Sequence, residues 1–218
     1  MKITVNGQEY PVTDELPLLS VLREEVGVLS VKEGCDDATC GTCLVIAGGK
    51  LVKSCSRKAS TFENQEIVTT EGLSEREKEV YVEAFGETGA VQCGFCIPGM
   101  VMAGKALLDK NPDASRDDVS KGIRLDVCRC TGYKKIEDAI LSAGQMLRDD
   151  KEVHGSNARI RISDRAHRPD AAAKTLGTGL FTDDIRLAGM IHAKALRTRY
   201  PRALINAIDT SKARAHPD

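Results

Sequence analysis

The sequence predicts an α+β protein built from two small domains and the beginning of a further segment. Through about the first 70 residues the apolar positions alternate with period two, and from Ser74 they recur at about 3.6 residues. The charge balance changes near residue 150, because residues 1–150 carry 18 Lys and Arg against 25 Asp and Glu, whereas residues 151–218 carry 13 against 7. All eight cysteines lie in the first of these parts. We therefore expect pieces of different kinds along the chain.

Residues 1–73 are predicted to form a β-grasp domain. The dipeptide Asn6-Gly7 suits a type I′ turn between two alternating runs and so predicts a β-hairpin. Leu18, Val21 and Leu22 recur at helical spacing and predict a short helix that ends at Gly27. Further strands are expected at residues 44–47, 50–54 and 67–69.

Residues 74–150 are predicted to form a four-helix bundle. Ser74 with Glu77 makes a capping box for the first helix, Pro98 suits the first turn of the second, and Ser115 with Asp118 caps the third. The fourth helix has the clearest apolar stripe, which consists of Ile136, Ala139, Ile140, Ala143, Met146 and Leu147. Helices of this length pack into a compact bundle.

The last quarter of the chain is predicted to be a linker, residues 151–164, and an incomplete α/β segment, residues 165–218, with strand-like pieces at 190–195 and 203–208. The alternative is a complete C-terminal extension. Its basic residues are not interleaved with aromatic ones, so we expect no nucleic-acid partner. Neither a targeting segment nor an apolar run long enough for a membrane is visible, which predicts a cytoplasmic protein whose cysteines hold metal.

The first cysteine set is Cys35, Cys40, Cys43 and Cys55. Its C-x4-C-x2-C spacing with one later cysteine is the plant-type ferredoxin ligand pattern for a [2Fe–2S] cluster. Gly34, Gly41 and Thr42 leave room for backbone N–H groups to approach the sulfurs. A zinc site or two disulfides are the alternatives, but the four-residue gap does not match the tight pairs that are usual for zinc.

The second cysteine set is Cys93, Cys96, Cys128 and Cys130. Its C-x2-C and distant C-x-C pairs each lead into a predicted helix. Taken alone, this spacing suits an iron–sulfur cluster, a zinc site or a redox-active dithiol about equally well.

Both sets together resemble those of the molybdenum hydroxylases, the family of xanthine dehydrogenase and aldehyde oxidoreductase. The segments that carry the resemblance are residues 92–100, QCGFCIPGM, and residues 128–133, CRCTGY. In the tail, residues 165–177 and 181–185 look like the start of the family's molybdenum-binding domain. The resemblance implies that all eight cysteines are ligands of two [2Fe–2S] clusters.

The resemblance also implies partners and further cofactors. Gln92 and Cys130 would lie against the pterin of a molybdenum cofactor that is bound mainly by residues outside this chain. A molybdenum-binding subunit or a continuation of the chain would follow, with FAD on a partner chain or absent, in an oligomeric complex. Catalytic residues are not expected in this chain.

The resemblance implies an enzyme, in which this chain would carry electrons from molybdenum through two clusters to a flavin or an external acceptor. The preferred reaction is hydroxylation of a purine-type heterocycle, as in xanthine dehydrogenase, and the alternative is an aldehyde oxidoreductase. A free-standing ferredoxin-like carrier and a zinc-stabilised module are alternatives from other classes.

The sequence departs from the family pattern at two places. Ala38 stands where the first cluster loop often has glycine, so a positive φ there would strain the alanine. Leu125 and Asp126 stand in place of a more usual Gly-Asn before Cys128. Neither departure removes a ligand.

Overall fold

The first strands of the chain form a mixed five-stranded sheet in a computed structural model that describes residues 1–12, 16–35, 37–150, 153 and 168–216. The predicted linker, residues 151–164, lies outside the described residues except for Val153. The sheet order is β2-β1-β5-β3-β4, with β1 and β5 parallel and the other neighbours antiparallel. The strands are β1 Lys2–Val5, β2 Gln8–Pro11, β3 Leu44–Ala47, β4 Lys50–Lys53 and β5 Glu66–Val68.

The turns of this sheet follow from residues that accept a positive φ. Asn6 and Gly7 have φ of 50° and 80°, which matches the type I′ turn that the sequence predicts.

The crossing helix α1, Leu18–Ser20, continues as a π-helical segment, Val21–Glu25, in which the Val26 N–H donates to the Val21 carbonyl. A helix is therefore present where predicted, but it is wider than an α-helix over its second half.

Four helices follow the sheet: α2 Glu75–Glu87, α3 Ile97–Leu108, α4 Arg116–Ile123 and α5 Lys134–Arg148. Both predicted capping boxes are present, at the starts of α2 and α4, because Ser74 and Ser115 each exchange hydrogen bonds with the residue three positions later. Pro98 lies in the first turn of α3, where its missing N–H costs no helical hydrogen bond. The predicted α+β class is confirmed.

Strand β3 belongs to two cores at once. Val45 and Ala47 face the core between the sheet and α1, whereas Leu44 and Ile46 join the core of the four helices. The strand is buried on both faces for this reason, and it starts directly after Cys43. It thus fixes the first cysteine loop against helix α3, which starts directly after Cys96.

The described tail is divided between two compact units of the chain. The first compact unit is Met1–Asp184 and the second is Ile185–Asp218. The first unit includes the short helix α6, Ala171–Thr175, and the second includes α7, Ser211–Arg214. No helix among the described residues is both long enough and apolar enough to cross a bilayer.

The strand-like pieces predicted at residues 190–195 and 203–208 are not strands in the structure. A strand needs a neighbouring segment to complete its hydrogen-bond ladder, and in the described part of the chain neither piece has one. The prediction of strands in this segment was therefore wrong for the chain by itself.

Candidate metal-cluster sites

The structure brings the cysteines of the first set together as two contacting pairs, Cys35 with Cys40 and Cys43 with Cys55. Cys35, Cys40 and Cys43 lie on the loop between α1 and β3, and Cys55 lies in a 3₁₀ turn directly after β4. The Cys40 N–H donates to the Cys35 sulfur at 3.3 Å, and the side chains of Cys43 and Cys55 contact each other. The Ser54 N–H and hydroxyl both donate to the Cys43 carbonyl, at 3.2 and 2.9 Å. The β3–β4 hairpin therefore fixes how far Cys55 lies from the loop.

The thiols of this set differ in their acidity. Burial raises the pKa of Cys55 to about 12, and the neighbouring Cys43 adds to the effect. Burial also raises the pKa of Cys40. The contact with Asp37 acts to raise the pKa of Cys35, but the hydrogen bonds from backbone N–H groups together outweigh it and the pKa is lowered. Buried thiolates of this kind need a cation or a metal cluster to compensate their charge.

Ala38 has φ of +61°, so the loop needs the left-handed conformation at this position. The Lys53 ammonium donates to the Ala38 carbonyl at 2.6 Å and helps to keep the loop in this path. We expect Ala38→Gly to raise the free energy of unfolding by about 0.5–1 kcal/mol, because the Cβ strain exceeds the extra entropy of an unfolded glycine. Chemical denaturation of the two proteins measures this difference.

Ala172→Gly is the matched control, because Ala172 lies on the exposed side of helix α6 and has a helical backbone. There the same substitution should lower the free energy of unfolding by up to about 1 kcal/mol. A loss of stability in Ala38→Gly as large as in the control would contradict the assignment of strain to the loop.

The second cysteine set lies at the N-terminal ends of two helices. Cys93 and Cys96 precede α3, and Cys128 and Cys130 lie between α4 and α5. The sulfurs of Cys93 and Cys130 are 3.4 Å apart and exposed, whereas Cys96 and Cys128 contact each other and are buried. The sulfurs of both sets thus meet as pairs. Among the described residues, no three His, Cys, Asp or Glu side chains converge on a point that a single metal ion would occupy.

Two hydroxyl groups lie against Cys128 in the buried half of the second set. The Thr131 hydroxyl lies 3.1 Å from the Cys128 sulfur, and the Tyr133 hydroxyl accepts from the Cys128 N–H at 3.0 Å. Burial acts to raise the pKa of Cys128, but the hydrogen bonds from Thr131 outweigh it and the pKa is lowered. Burial raises the pKa of Cys96 far above its ordinary range. The two thiols of this buried pair therefore differ in acidity, and Cys128 is the more acidic of the two.

Asp126 is a buried acid next to this set. Its side chain is 1% exposed, and neither carboxylate oxygen has a hydrogen-bond partner among the described residues. The adjacent Val127 N–H donates to the Cys40 carbonyl, at 2.7 Å. Burial raises the pKa of Asp126 to about 8, and the nearby Cys128 adds to the effect. Asp126 therefore places a buried, titratable carboxyl group at a position where the family more usually has the amide of asparagine.

The loops of the two sets touch each other. The Val127 N–H to Cys40 carbonyl bond joins the segment before Cys128 to the first cysteine loop. Gly41, with φ of +81°, lies so close to Leu125 that a Cβ would overlap the Leu125 carbonyl oxygen. The two sites are thus neighbours that share a bonded contact.

Comparisons with known proteins identify these regions. Residues 3–74 match the family of 2Fe-2S iron-sulfur cluster binding domains, and residues 69–141 match a second family described as [2Fe-2S] binding domain. The xanthine dehydrogenase iron-sulfur-binding subunit of Escherichia coli O157:H7 is 38% identical over 65% of this chain and 91% of that subunit. The chain belongs to the molybdenum hydroxylase family.

Two aldehyde oxidoreductases extend the similarity of this molybdenum hydroxylase chain into the tail. The enzyme of Megalodesulfovibrio gigas is 36% identical over 99% of this chain, which spans 25% of that enzyme. The crystal structure of the enzyme from Desulfovibrio desulfuricans ATCC 27774 is 38% identical, with a TM-score of 0.76, over 84% of this chain and 21% of that one. This chain thus spans about a quarter of the length of such relatives.

In this molybdenum hydroxylase chain, Gln92 and Cys130 lie on one exposed edge, next to Cys93. The Gln92 carbonyl accepts from Arg168, at 2.8 Å, and from Lys174, at 3.2 Å, so its backbone is held from the tail. The structure brings the two residues close to one another, and the predicted contact with a pterin stays a prediction.

Sequence reasoning missed several residues that support the sites. Thr131 was quoted only as part of a motif, although a hydroxyl three positions after a cysteine is well placed to donate to its sulfur. Asp184, within residues 181–185, is assigned no role from the sequence, and it forms buried ion pairs with Arg23 and Lys32. The available signal for the Lys32–Asp184 ion pair was Lys32 itself, a lone lysine at the end of an apolar run.

Proposed function

We propose that this chain is the iron–sulfur electron-transfer portion of a molybdenum-dependent oxidoreductase and that its eight cysteines hold two [2Fe–2S] clusters. The observation that carries the proposal is the grouping of the cysteines into two sets, each made of two contacting pairs, inside two regions that match [2Fe–2S] binding families. Two pairs of thiolates suit a cluster in which each iron takes two cysteine ligands. When bound, such a cluster accepts and releases single electrons.

The protein's own groups would hold each cluster and tune it. Cys35, Cys40, Cys43 and Cys55 would bind the first, and Cys93, Cys96, Cys128 and Cys130 the second. The N–H of Cys40 and the hydroxyl of Thr131 point hydrogen-bond donors at sulfur, which stabilises the negative charge there. The burial of Cys43, Cys96 and Cys128 excludes water from one side of each site.

We propose that the second cysteine set is the side that receives electrons from molybdenum and that the first passes them outward to a flavin or an external acceptor. The exposure of Cys93 and Cys130 beside Gln92 supports this direction, because a pterin needs an open edge. Gln92 and Cys130 are the residues that we assign to pterin contact. The Val127 to Cys40 hydrogen bond supplies a bonded connection between the sites.

The exposed apolar side chains of the tail support a protein partner, which we propose to be a molybdenum-binding subunit or a continuation of the chain. In residues 185–216, apolar side chains are left in solvent, with Ile191 at 93%, Leu196 at 98% and Leu204 at 87% exposed. Such a set of exposed aliphatic side chains is usual for a surface that further protein covers. The unpaired pieces at 190–195 and 203–208 would gain strand partners in the same way.

The domain boundaries in this proposal are a β-grasp domain over 1–73, a four-helix domain over 74–150, a linker over 151–164 and the start of a molybdenum-binding domain over 165–218. The family matches to residues 3–74 and 69–141 support the first two. FAD would lie on a partner chain within an oligomeric complex, in the cytoplasm, where eight free cysteines stay reduced.

For the substrate, we keep a purine-type heterocycle as the first proposal, with hydroxylation by a water-derived oxygen. The similarity to a xanthine dehydrogenase subunit supports it. An aldehyde is the second candidate, and the observation that favours it is the match of an aldehyde oxidoreductase to 99% of the chain, including the tail. Comparing xanthine with a simple aldehyde as electron donor to the assembled enzyme decides between them.

Metal analysis of the purified protein tests the cluster assignment. We expect four irons and four acid-labile sulfides per chain, with two distinct electron paramagnetic resonance signals after reduction. About two zincs per chain without such signals would contradict the proposal and favour a zinc-stabilised module. Molybdenum that co-purifies with the assembled enzyme separates the oxidoreductase from a free-standing electron carrier.

A further inference from the structure

The tail segment Arg168–Asp184, which we call the strap, contacts both regions that hold cysteines. Near its start, Arg168 donates to the carbonyls of Val91 and Gln92 at 3.2 and 2.8 Å. In its middle, the Leu176 carbonyl accepts from the Thr70 hydroxyl at 2.7 Å. Towards its end, the Phe181 ring packs edge to face on Phe95, which lies between Cys93 and Cys96, with ring centroids 5.2 Å apart.

The strap is anchored by a buried ion cluster. Asp184 accepts from the Arg23 guanidinium at 2.7 Å and from the Lys32 ammonium at 3.2 Å. The side chains of Lys32 and Asp184 are only 1% and 2% exposed. The Lys32 ammonium also lies 3.4 Å from the Gly177 carbonyl and 4.9 Å from the Phe181 ring centroid. The Lys32 ammonium thus contacts the strap at three residues, and Asp184 supplies the only negative charge among those three.

The backbone of Lys32 connects this anchor to the first cysteine set. The Lys32 carbonyl accepts from the Thr42 hydroxyl at 3.2 Å, and the same hydroxyl oxygen lies 3.3 Å from the Cys40 sulfur. A thiolate of Cys40 that holds a cluster has no proton to donate, and a threonine hydroxyl has only one, so the carbonyl and the sulfur would then compete for the Thr42 proton. The position of the Lys32 carbonyl thus decides how much of this hydrogen bond reaches the sulfur.

We propose that Asp184 is a positioning residue for the first cysteine set: by holding Lys32, it keeps the Lys32 carbonyl as the acceptor of the Thr42 proton and so keeps the reduction potential of that site low. The inference rests on the proposed function, since it concerns a cluster bound by Cys35, Cys40, Cys43 and Cys55. Hydrogen bonds to the sulfurs stabilise the more negative, reduced state, so withholding one lowers the potential.

Removing the carboxylate charge disturbs the anchor for a defined reason. In Asp184→Asn, the buried Arg23 and Lys32 cations would lose the carboxylate that both of them contact, which is strongly unfavourable. The Lys32 side chain then turns towards solvent and displaces its own backbone. The Thr42 hydroxyl loses its carbonyl acceptor and donates to the Cys40 sulfur instead.

The test is a redox titration of the full, cluster-loaded protein, followed by electron paramagnetic resonance. In Asp184→Asn, the reduced-to-oxidised ratio of the first-site signal at a fixed potential should rise about threefold, which is about 30 mV for one electron. The second-site signal should keep its midpoint. Glu9→Gln, which breaks the exposed Lys2–Glu9 ion pair of the same unit, is the control and should shift neither signal.

A double-mutant cycle separates positioning from a direct charge effect, because the loss of a negative charge by itself also raises the potential. If Asp184 acts through Thr42, the shift caused by Asp184→Asn disappears in a Thr42→Val background, and Thr42→Ser restores it. An equal shift in both backgrounds, or none in either, overturns the inference.

Phe181→Leu is the second variant, in case Asp184→Asn does not fold. It loosens the strap over Lys32 without changing any charge, so a smaller upward shift that also needs Thr42 is expected, and no shift contradicts the inference. If the unmodified protein gives no two-iron signals, the proposed function itself fails. If the signals are present and the cycle shows no dependence on Thr42, only the inference about Asp184 fails.

Discussion

Cys96→Ala is expected to remove one of two iron–sulfur signals and to leave the other unchanged. Cys96 is buried at the start of helix α3 and pairs with Cys128, so alanine takes away a ligand that no neighbouring cysteine outside the set can replace. The iron content should fall from about four to about two per chain. Iron analysis and the resonance spectrum of the reduced protein measure both changes.

Cys55→Ala is the reciprocal variant and serves as the control. Cys55 belongs to the first set, so its loss should remove the other signal and spare the one that Cys96→Ala removes. The pair of variants thereby assigns each signal to a site. Either variant keeping four irons, or both variants losing the same signal, would show that the two sets are not separate sites.

Asp126→Asn is expected to stabilise the protein, and more strongly as the pH rises. The unfolded carboxyl ionises above its ordinary pKa near 4, whereas burial holds the folded one neutral up to about 8. The free energy of unfolding therefore falls with pH between these values, by up to about 1.4 kcal/mol per pH unit from this group. Asparagine has no such charge. The difference in free energy of unfolding between the variant and the wild type should therefore grow by about 2–3 kcal/mol from pH 6 to pH 8.

The measurement is the thermal midpoint of both proteins at the two pH values and a fixed scan rate. For a chain of this size, the gain corresponds to about 5–10 °C at pH 8 relative to pH 6. Asp113→Asn is the control, because Asp113 is exposed in its ion pair with Arg148 and its variant should show little dependence on pH. A difference between Asp126→Asn and wild type that does not change with pH would contradict the burial of an acid at this position.

Turn and capping preferences of nearby residues were enough to predict most of the helices and strands. The Asn6-Gly7 turn, the caps at Ser74 and Ser115 and the early proline of α3 each depend on residues within a few positions, and each is present as predicted. The left-handed backbone at Ala38 was also foreseeable, because the departure from glycine marked the position. These features share a cause that lies inside a short window of sequence.

The features that the sequence did not predict correctly depend on residues far along the chain or outside it. Asp184 meets Lys32 across 152 positions, and no periodicity connects the two. The pieces at 190–195 and 203–208 have the composition of strands, but their pairing partners are not among the described residues. The π-helical turn after α1 has no signal in the apolar spacing of its segment, because that spacing suits an α-helix equally well.

The contact between Gly41 and Leu125 limits how this protein can be rearranged. Because the Leu125 carbonyl lies in the space that a side chain at residue 41 would need, the first cysteine loop fits only a neighbour whose backbone follows the same path. Exchanging one iron–sulfur region for that of a relative therefore requires the matching residues 125–127 as well. The two regions are therefore matched to each other in shape, although each matches a separate family along the chain.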